Sequence, residues 1–471
     1  MKKLILCVFI PAILLLSCAT TTIPQISDND ERLQMIGGKE ALLDAIVYPD
    51  FALRKGIEGV VKVMAYIDTS GRVLDCEIIE GNDYLNEAAI IAIKSQKFHP
   101  YYTDGKLSPV RVAMPISFSI TNDIDMNAIE DERLMPLADS YLSKKINRLG
   151  DEISSRSPGN KNEYYSEGLS WWPILGKADE PYIIKEGKLN PQAFAYHREA
   201  LKTMHMHVSS LSSLYLVTGN KVYAKRATDY IKVWFVDKNT AMTPHMKYAQ
   251  SIPNRSRGRA TGIYEAMPLI EVVRSIKVLR PYLSENELLV INEWFKAYSK
   301  FLVYDEFGMQ LRSKKNAYGV AWLAQISTIA EYLGDKYLLK TCREYFEEIT
   351  IPYVLSQNSK LLKSPTNLLF EHDLLLHADY LVVIATVLSD ENYSAWEVMD
   401  EQGRRIGDLV NYIYSGVLNN RIYLGEHYKG RFASLYLAGK AYDNFRYLDL
   451  WRSLQNNDVE IDFPVRELLL W

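Results

Sequence analysis

The amino-acid sequence predicts a multidomain protein, with a small α+β domain followed by an all-α domain that forms an (α/α) toroid or incomplete barrel. Two observations predict this order. Residues 34–121 alternate strand-like and helix-like patterns, and from about residue 163 nearly every segment has the apolar spacing of a long helix. A length of 471 residues and an apolar fraction of 48% allow more than one buried core.

The first 33 residues are predicted to be an address and a tether. Two lysines precede an apolar run at residues 4–16, which is too short to span a bilayer comfortably, and the run ends in LLSC, a sequence that resembles a bacterial lipobox. We therefore expect residues 1–17 to be a lipoprotein signal peptide, Cys18 to be lipidated, and residues 18–33 to form a polar tether at the periplasmic face or the outer membrane. The alternative is a plain signal peptide with an incidental cysteine.

The first domain, residues 34–121, has the element order β-hairpin, helix, strand. Residues 59–67 and 73–79 are β-rich runs, and the DTSG sequence between them is a turn signal. Residues 85–97 have helical apolar spacing, and residues 110–120 form a last strand.

This segment resembles the TonB C-terminal domain over nearly its whole length. The residues that carry the resemblance are Tyr48, Pro49, Gly56, Gly59, Val60, Val61, Asp68, Gly71, Pro115, Ile116, Ser117 and Phe118. The resemblance implies binding of a protein partner by strand addition and no catalytic group. A small spacer domain without a partner is the alternative.

Residues 122–162 are predicted to be a linker with one helix, ended by the breaker RSPGN, and residues 163–471 to be the helical domain. Gly219-Asn220 and Gly334-Asp335 are expected to end one helix and begin the next in two segments that echo each other. Stacked antiparallel hairpins of this kind favour a toroid with a cleft at its loop-rich end. The predicted helices cover residues 201–218, 222–236, 264–279, 285–303, 320–333 and 336–349.

Two groups of side chains in this domain are typical of a site for a sugar that carries carboxylates. Arg255, Arg257 and Arg259 occupy a glycine-broken loop, and Trp171-Trp172 lies upstream. Aromatic faces stack on pyranose rings, and guanidinium groups bind carboxylates through two hydrogen bonds. The alternatives are that the two tryptophans belong to the core, and that Arg255 and Arg257 are solvated loop charges.

From about residue 164 to at least residue 412 the chain resembles the alginate lyase superfamily of polysaccharide lyases. The residues that carry the resemblance are Trp171, Trp172, Pro173, Pro181, Tyr182, Gly187, Asn190, Pro191, Leu216, Val217, Thr218, Gly219, Asn220, Ala224, Trp234, Phe235, Val236, Asp237, Met242, Tyr248, Ala249, Gln250, Ile252, Pro253, Gly258 and Arg259. The resemblance implies β-elimination on a uronic-acid polymer, alginate or a related one, with Tyr248 and Gln250 among the substrate-binding residues. It implies no cofactor.

The expected catalytic residues depart from the family pattern of Asn-Asn-His-Gly with a downstream Arg and Tyr. Here the segment is Asn316-Ala317-Tyr318-Gly319, and the downstream segment FEHDLLLHADYLVV has no arginine. A tyrosine can act as base and acid if a nearby guanidinium lowers its pKa from about 10. We therefore expect Tyr318 or Tyr380 to move the proton, with His377 assisting, Asn316 retained, and Arg259 holding the carboxylate. A degraded relative that binds acidic polysaccharide or a protein partner is the alternative.

Several other classes of function are disfavoured by the sequence. A net charge of −4 argues against a general nucleic-acid binder. The cysteines, Cys7, Cys18, Cys76 and Cys342, show no metal-binding spacing, and the last two fall in different predicted domains, so a structural disulfide is not expected. His205 and His207 are expected to point to opposite faces of a helix, and a structural role is favoured for His372 and His377. No phosphate-binding glycine loop or GxSxG elbow is present.

Overall fold

The computed structural model describes residues 23–27, 30, 32–38, 41–42, 45–120, 124–177, 179–361, 368–418, 431–454 and 466–471. The chain divides into two compact units, residues 1–121 and residues 122–471. The apolar run at 4–16 and Cys18 lie outside the described residues, as does the side chain of His372.

The first unit is a four-stranded sheet with a helix packed on one face. Strand order is β1-β6-β2-β3, with β2 antiparallel to both β3 and β6 and with β1 parallel to β6. The predicted hairpin, helix and last strand are confirmed, although the helix and the last strand end a few residues earlier than predicted. The elements are β1 (Gln25–Ile26), α1 (Asp50–Lys55), β2 (Gly59–Ile67), β3 (Val73–Glu80), α2 (Asn86–Lys94), β4 (Tyr102–Thr103), β5 (Lys106–Leu107) and β6 (Val110–Phe118).

The hairpin turn between β2 and β3 requires a glycine at position 71. Gly71 has a φ of +80°, and a Cβ there would lie 1.9 Å from the carbonyl oxygen of Phe98. The Asp68 side chain accepts hydrogen bonds from the backbone N–H groups of Ser70 and Arg72, which closes the turn. The sequence signal therefore predicts the turn because its chemistry is local.

Residues 25–26, which the sequence assigns to the tether, form strand β1. The backbone N–H of Arg111 on β6 donates to the carbonyl oxygen of Pro24 at 3.1 Å, and Gln25 pairs with Arg111. A free sheet edge presents unpaired backbone groups, which explains why this two-residue segment pairs here.

The second unit is helix-rich, as predicted. Its helices are α3 (Met126–Leu134), α4 (Ala138–Ser143), α5 (Tyr196–Thr218), α6 (Lys221–Ile231), α7 (Leu269–Leu279), α8 (Glu285–Tyr304), α9 (Glu306–Arg312), α10 (Ala317–Leu333), α11 (Lys336–Tyr345), α12 (Ile351–Leu361), α13 (Leu368–Leu388), α14 (Ile406–Leu418), α15 (Ala433–Ala441) and α16 (Phe445–Ser453). The toroid arrangement of these helices remains a prediction.

Helix α10 lies at the centre of this unit. It packs against α7, α8, α11 and α13, and almost every residue from Gly319 to Ala330 is buried. A helix that is apolar on all sides needs neighbours on all sides. Since Asn316 and Tyr318 stand at its N-terminus, the packing of α10 fixes where these two residues lie.

Several helix ends differ from the sequence prediction for identifiable reasons. The predicted helix at 264–279 is a 3₁₀ turn (Ala260–Ala266) followed by α7, because Pro268 lacks an N–H and α7 starts after it. The predicted helices at 222–236 and 336–349 each pass into a π-helical turn, Lys232–Val236 and Phe346–Thr350. Gly219 and Gly334 are left-handed C-caps, as expected.

Four short strands between residues 165 and 251 of the second unit were not predicted. Strand β7 (Tyr165–Glu167) pairs in parallel with β10 (Tyr248–Ser251), and β8 (Trp171–Trp172) pairs with β9 (Ile183–Ile184). Strands of two to four residues are too short to show a clear period of two in the sequence. The pairing of β7 with β10 brings together two segments that are about eighty residues apart in the chain and that both contribute to the candidate site.

The segment 122–162, predicted as a linker with one helix, contains α3 and α4. Met126, Leu134, Tyr141 and Leu149 are buried in the same core as the long helices. Cys76 and Cys342 are free thiols, each buried in its own unit. Within the described ranges, no helix is both long and apolar enough to cross a membrane.

Candidate active site

Arg259 is fixed by the close packing of its own backbone against strand β10. Its backbone N–H donates to the carbonyl oxygen of Ala249 at 3.0 Å. The preceding residue must be small, because a Cβ on Gly258 would lie 1.9 Å from the carbonyl oxygen of Lys247. The arginine that the sequence singled out is therefore carried by a loop that is packed closely against strand β10 and cannot shift easily.

Gln250 holds the Arg259 side chain. Arg259 Nε donates to the Gln250 carbonyl oxygen at 3.0 Å, and Nη2 donates to Gln250 Oε1 at 2.8 Å. The same Oε1 accepts a hydrogen bond of 3.1 Å from Thr261 Oγ1. With Oε1 used twice, the amide nitrogen Nε2 of Gln250 is left as a donor, and no described residue accepts from it.

The backbone of Gln250 is in the left-handed region, with a φ of +53°. A side chain other than glycine adopts this conformation at a cost, and such strain persists where the surroundings determine it. The Gln250 N–H donates to Ser166 Oγ at 2.8 Å, which ties the strained residue to strand β7.

Behind Ser166 lies a buried carboxylate that sequence reasoning missed. Glu265 Oε2 accepts from Ser166 Oγ at 2.6 Å and from the Tyr164 hydroxyl at 2.9 Å, while Oε1 accepts from Arg198 Nε at 3.0 Å. Its side chain is 6% exposed. These residues come from three separate segments with no motif in common, so the sequence carries no signal for the cluster.

Two of the predicted arginines lie over the ring of Trp171. The guanidinium carbons of Arg255 and Arg259 lie 5.0 and 5.8 Å from the centre of the Trp171 ring, within cation–π range. Trp172 is half-buried, like Trp171; it donates from Nε1 to the Lys188 carbonyl oxygen and lies under Lys185 Nζ. Neither tryptophan belongs to the buried core.

The other residues predicted to bind substrate, Arg255, Arg257 and Tyr248, differ in their exposure to solvent. Arg255 and Arg257 are both exposed, and neither has an ion pair within the part of the chain that the structure describes. Tyr248 is half-buried at the start of β10, and its ring meets His245 at 5.9 Å.

Tyr318 and Asn316 begin helix α10. Asn316 Oδ1 accepts the backbone N–H of Tyr318 at 3.1 Å and so caps the helix. Tyr318 is half-buried, and its ring meets that of Tyr264 edge to face at 5.6 Å. Asn316 thus has a structural task that the sequence did not indicate.

Tyr380 lies in the core, next to Tyr264. It is fully buried on α13, and its hydroxyl donates to the hydroxyl of Tyr264 at 2.8 Å. Burial raises the pKa of Tyr380 well above its ordinary value, and Tyr264 acts in the same direction. His377 lies almost one turn earlier on the same helix and is half-buried.

Electrostatics links Arg259 with the tyrosines. Burial lowers the pKa of Arg259, whereas Tyr318 and Glu265, when ionised, raise it, and Arg255 lowers it. Arg259 contacts Gln250 and Trp171 directly, whereas Tyr318 contacts Tyr264, which is hydrogen-bonded to the buried Tyr380. In the part of the chain that the structure describes, no group of three or more His, Cys, Asp or Glu side chains is placed to bind a metal ion.

Both domains of the chain match known protein families. Residues 150–357 match the family model described as alginate lyase, and residues 44–120 match the model of the Gram-negative bacterial TonB protein C-terminal domain. Protein TonB of Vibrio cholerae is 34% identical over 87 residues, which cover 17% of this chain and 36% of that protein. The chain thus spans about a third of the length of that relative.

Solved structures resemble the larger part of the chain. An alginate lyase from Bacteroides ovatus superposes with a TM-score of 0.63 at 20% identity, covering 74% of this chain and 93% of that one. Alginate lyase A1-III from Sphingomonas species A1 gives a TM-score of 0.42 at 13% identity, covering 71% and 90%. The first likeness shows the fold. Residues 44–120 therefore form a domain of the TonB C-terminal family, and residues 150–357 belong to a domain of the alginate lyase family.

Proposed function

We propose that the helical domain is a polysaccharide lyase that cleaves a uronic-acid polymer, alginate or a related one, by β-elimination. The observation that carries the proposal is the fixed pair of Arg259 and Gln250, with the Arg259 guanidinium against the Trp171 ring. Elimination needs a group that neutralises the C6 carboxylate, a base that removes the C5 proton, and an acid for the leaving oxygen.

Arg259 and Gln250 are suited to neutralise the carboxylate. Gln250 uses two of the five N–H donors of the guanidinium, which leaves three for a ligand. The Gln250 amide adds its Nε2. Donors that are held before the substrate arrives need no reorganisation when negative charge develops, and such preorganisation is the largest catalytic term in many enzymes.

Tyr318 is suited to remove the C5 proton. It is the second residue of α10, where the helix macrodipole favours negative charge. Asn316 uses Oδ1 for the cap and retains its Nδ2 donors, which we assign to the substrate. We assign binding of neighbouring sugars to Trp171, Trp172, Arg255, Arg257 and Tyr248, and supporting roles to Tyr380 and His377.

The same features also supply a second candidate, a relative that binds acidic polysaccharide or a protein partner without cleaving it. The burial of Tyr380 and the capping role of Asn316 favour this alternative, because both residues were expected to contact substrate. The first domain supports a place in the Gram-negative cell envelope, and we propose a lipoprotein anchored through Cys18.

The test uses the protein without its signal peptide against a panel of uronic-acid polymers. Elimination creates a C4=C5 double bond conjugated with the carboxylate, which absorbs in the ultraviolet. Tyr318→Phe should lower turnover by about 10²–10⁴-fold while leaving polymer binding largely intact. A polymer that binds but gives no absorbance with the wild type would favour the alternative, and unchanged turnover in Tyr318→Phe would remove this residue from the mechanism.

A further inference from the structure

We propose that Tyr264 is the acid that protonates the leaving glycosidic oxygen. This assignment rests on the proposed lyase function and divides the proton transfers between two tyrosines, with Tyr318 as the base. From the sequence alone, one tyrosine, Tyr318 or Tyr380, was expected to carry out both proton transfers, and Tyr264 was not among the expected residues.

The position of Tyr264 is the first argument. It lies in the 3₁₀ turn Ala260–Ala266, five residues after Arg259, and it is half-buried rather than enclosed. Its ring contacts Tyr318 at 5.6 Å on one side and Tyr380 at 6.3 Å on another. Of the hydrogen-bonded tyrosines Tyr264 and Tyr380, Tyr264 is therefore the one that can reach a bound polymer.

The hydrogen-bond direction is the second argument. The Tyr380 hydroxyl donates to that of Tyr264, so the hydrogen of Tyr264 must point elsewhere. Among the described residues no acceptor takes it. Tyr380 is itself held inside the core, with the Arg466 guanidinium carbon 5.8 Å from its ring centre and Asp379 joined to Arg466 at 2.8 Å. The donor behind Tyr264 is therefore fixed.

The chemical balance of the step is simple. The Tyr318 phenolate takes the C5 proton, the C5–H electron pair forms the C4=C5 double bond, and the C4–O bond breaks. The departing oxygen takes the hydroxyl proton of Tyr264, which becomes the phenolate. Because Tyr318 now carries one proton more and Tyr264 one fewer, transfer between the two adjacent rings restores the starting state without another reactant.

The surroundings of Tyr264 suit an acid. Burial raises the pKa of Tyr264 to about 12, so the hydroxyl stays protonated at neutral pH, while the hydrogen bond from Tyr380 acts in the opposite direction. That hydrogen bond stabilises the phenolate formed when the proton leaves. A sugar alkoxide is a stronger base than a phenolate, so the transfer is favourable.

The experiment compares two substrates. One is the polymer that the wild type cleaves, and the other is a synthetic uronate with nitrophenoxide at C4, a leaving group that departs without protonation. Tyr264→Phe should lose about 10²–10⁴-fold on the polymer but stay close to the wild-type rate on the nitrophenyl substrate. Tyr318→Phe should lose activity on both. Tyr332→Phe, which removes a hydroxyl bonded to Asn292 at 2.6 Å near the far end of α10, is the matched control and should change neither.

The outcomes separate this assignment from the proposed function. A wild type that is inactive on both substrates removes the proposed function and this assignment with it. An active wild type with equal losses in Tyr264→Phe on both substrates, or with no loss on the polymer, removes the assignment of Tyr264 and leaves the lyase function standing. A near-normal rate on the nitrophenyl substrate also shows that the variant is folded.

Discussion

Replacing Arg259 with lysine tests the carboxylate clamp most sharply. Lysine keeps the positive charge but loses the planar fork, so the two-point attachment to Gln250 is lost and the remaining N–H donors are no longer held in place for a ligand. Without Arg259, Oε1 of Gln250 keeps Thr261 as its partner, and the amide is held less firmly.

The expected magnitude follows from the role of a preorganised donor. Removal of one such donor costs about 2.7–4 kcal/mol, which corresponds to about 10²–10³-fold in turnover. Because the clamp acts on charge that develops in the transition state, kcat and kcat/KM should fall by similar factors. A loss confined to KM would show that Arg259 contributes uniform binding instead.

The assay is the initial rate of unsaturated product on the preferred polymer, with thermal unfolding measured in parallel. Arg255→Lys is the matched control, because Arg255 lies over the same indole ring, is exposed, and makes no hydrogen bond to Gln250 in the described structure. We expect a loss of about tenfold or less in the control. Equal losses in the two variants would refute the assignment of the clamp to Arg259.

Three further predictions concern the support of the site and the fold. Gly258→Ala places a Cβ 1.9 Å from the Lys247 carbonyl oxygen and should destabilise the domain by about 1–3 kcal/mol in a denaturant titration; a neutral result would contradict the packing described here. Glu265→Ala removes the carboxylate partner of the largely buried Arg198 and should cost up to about 3 kcal/mol of stability and lower kcat/KM, whereas wild-type stability would show that the carboxylate does not stabilise the domain. Burial lowers the pKa of His207 to about 4, so the folded state binds fewer protons than the unfolded state, and stability should fall by up to about 3 kcal/mol as pH drops from about 6.5 to 4; a His207→Gln variant with the same pH profile would contradict this.

The fold could be predicted where the sequence signal is local. The DTSG turn, the β-rich run of strand β2 and the Gly219 and Gly334 caps all depend on neighbouring residues, and each is found where expected. Strand β1 and the pairing of β7 with β10 could not be predicted, because both depend on a partner distant in the chain.

The residues of the candidate site also fall into those that could be predicted from the sequence and those that could not. Arg259, Gln250 and Tyr318 were accessible from the sequence through family resemblance; in the structure Arg259 is hydrogen-bonded to Gln250, and the Tyr318 ring contacts Tyr264. Glu265 and Tyr264 could not be predicted from the sequence, because their importance arises from contacts with residues of other segments. A tyrosine in a chain with 32 tyrosines carries no signal until its neighbours are known.

The central claim is that this chain cleaves uronic-acid polymers by elimination, and the most direct test is the chemistry of the new chain ends. Products of the full panel would be separated and weighed by mass spectrometry. The lyase account predicts fragments whose new non-reducing ends lack one water and absorb in the ultraviolet. Saturated ends would indicate hydrolysis, and an absence of fragments from every polymer would indicate a protein that binds without cleaving; either result would contradict the account.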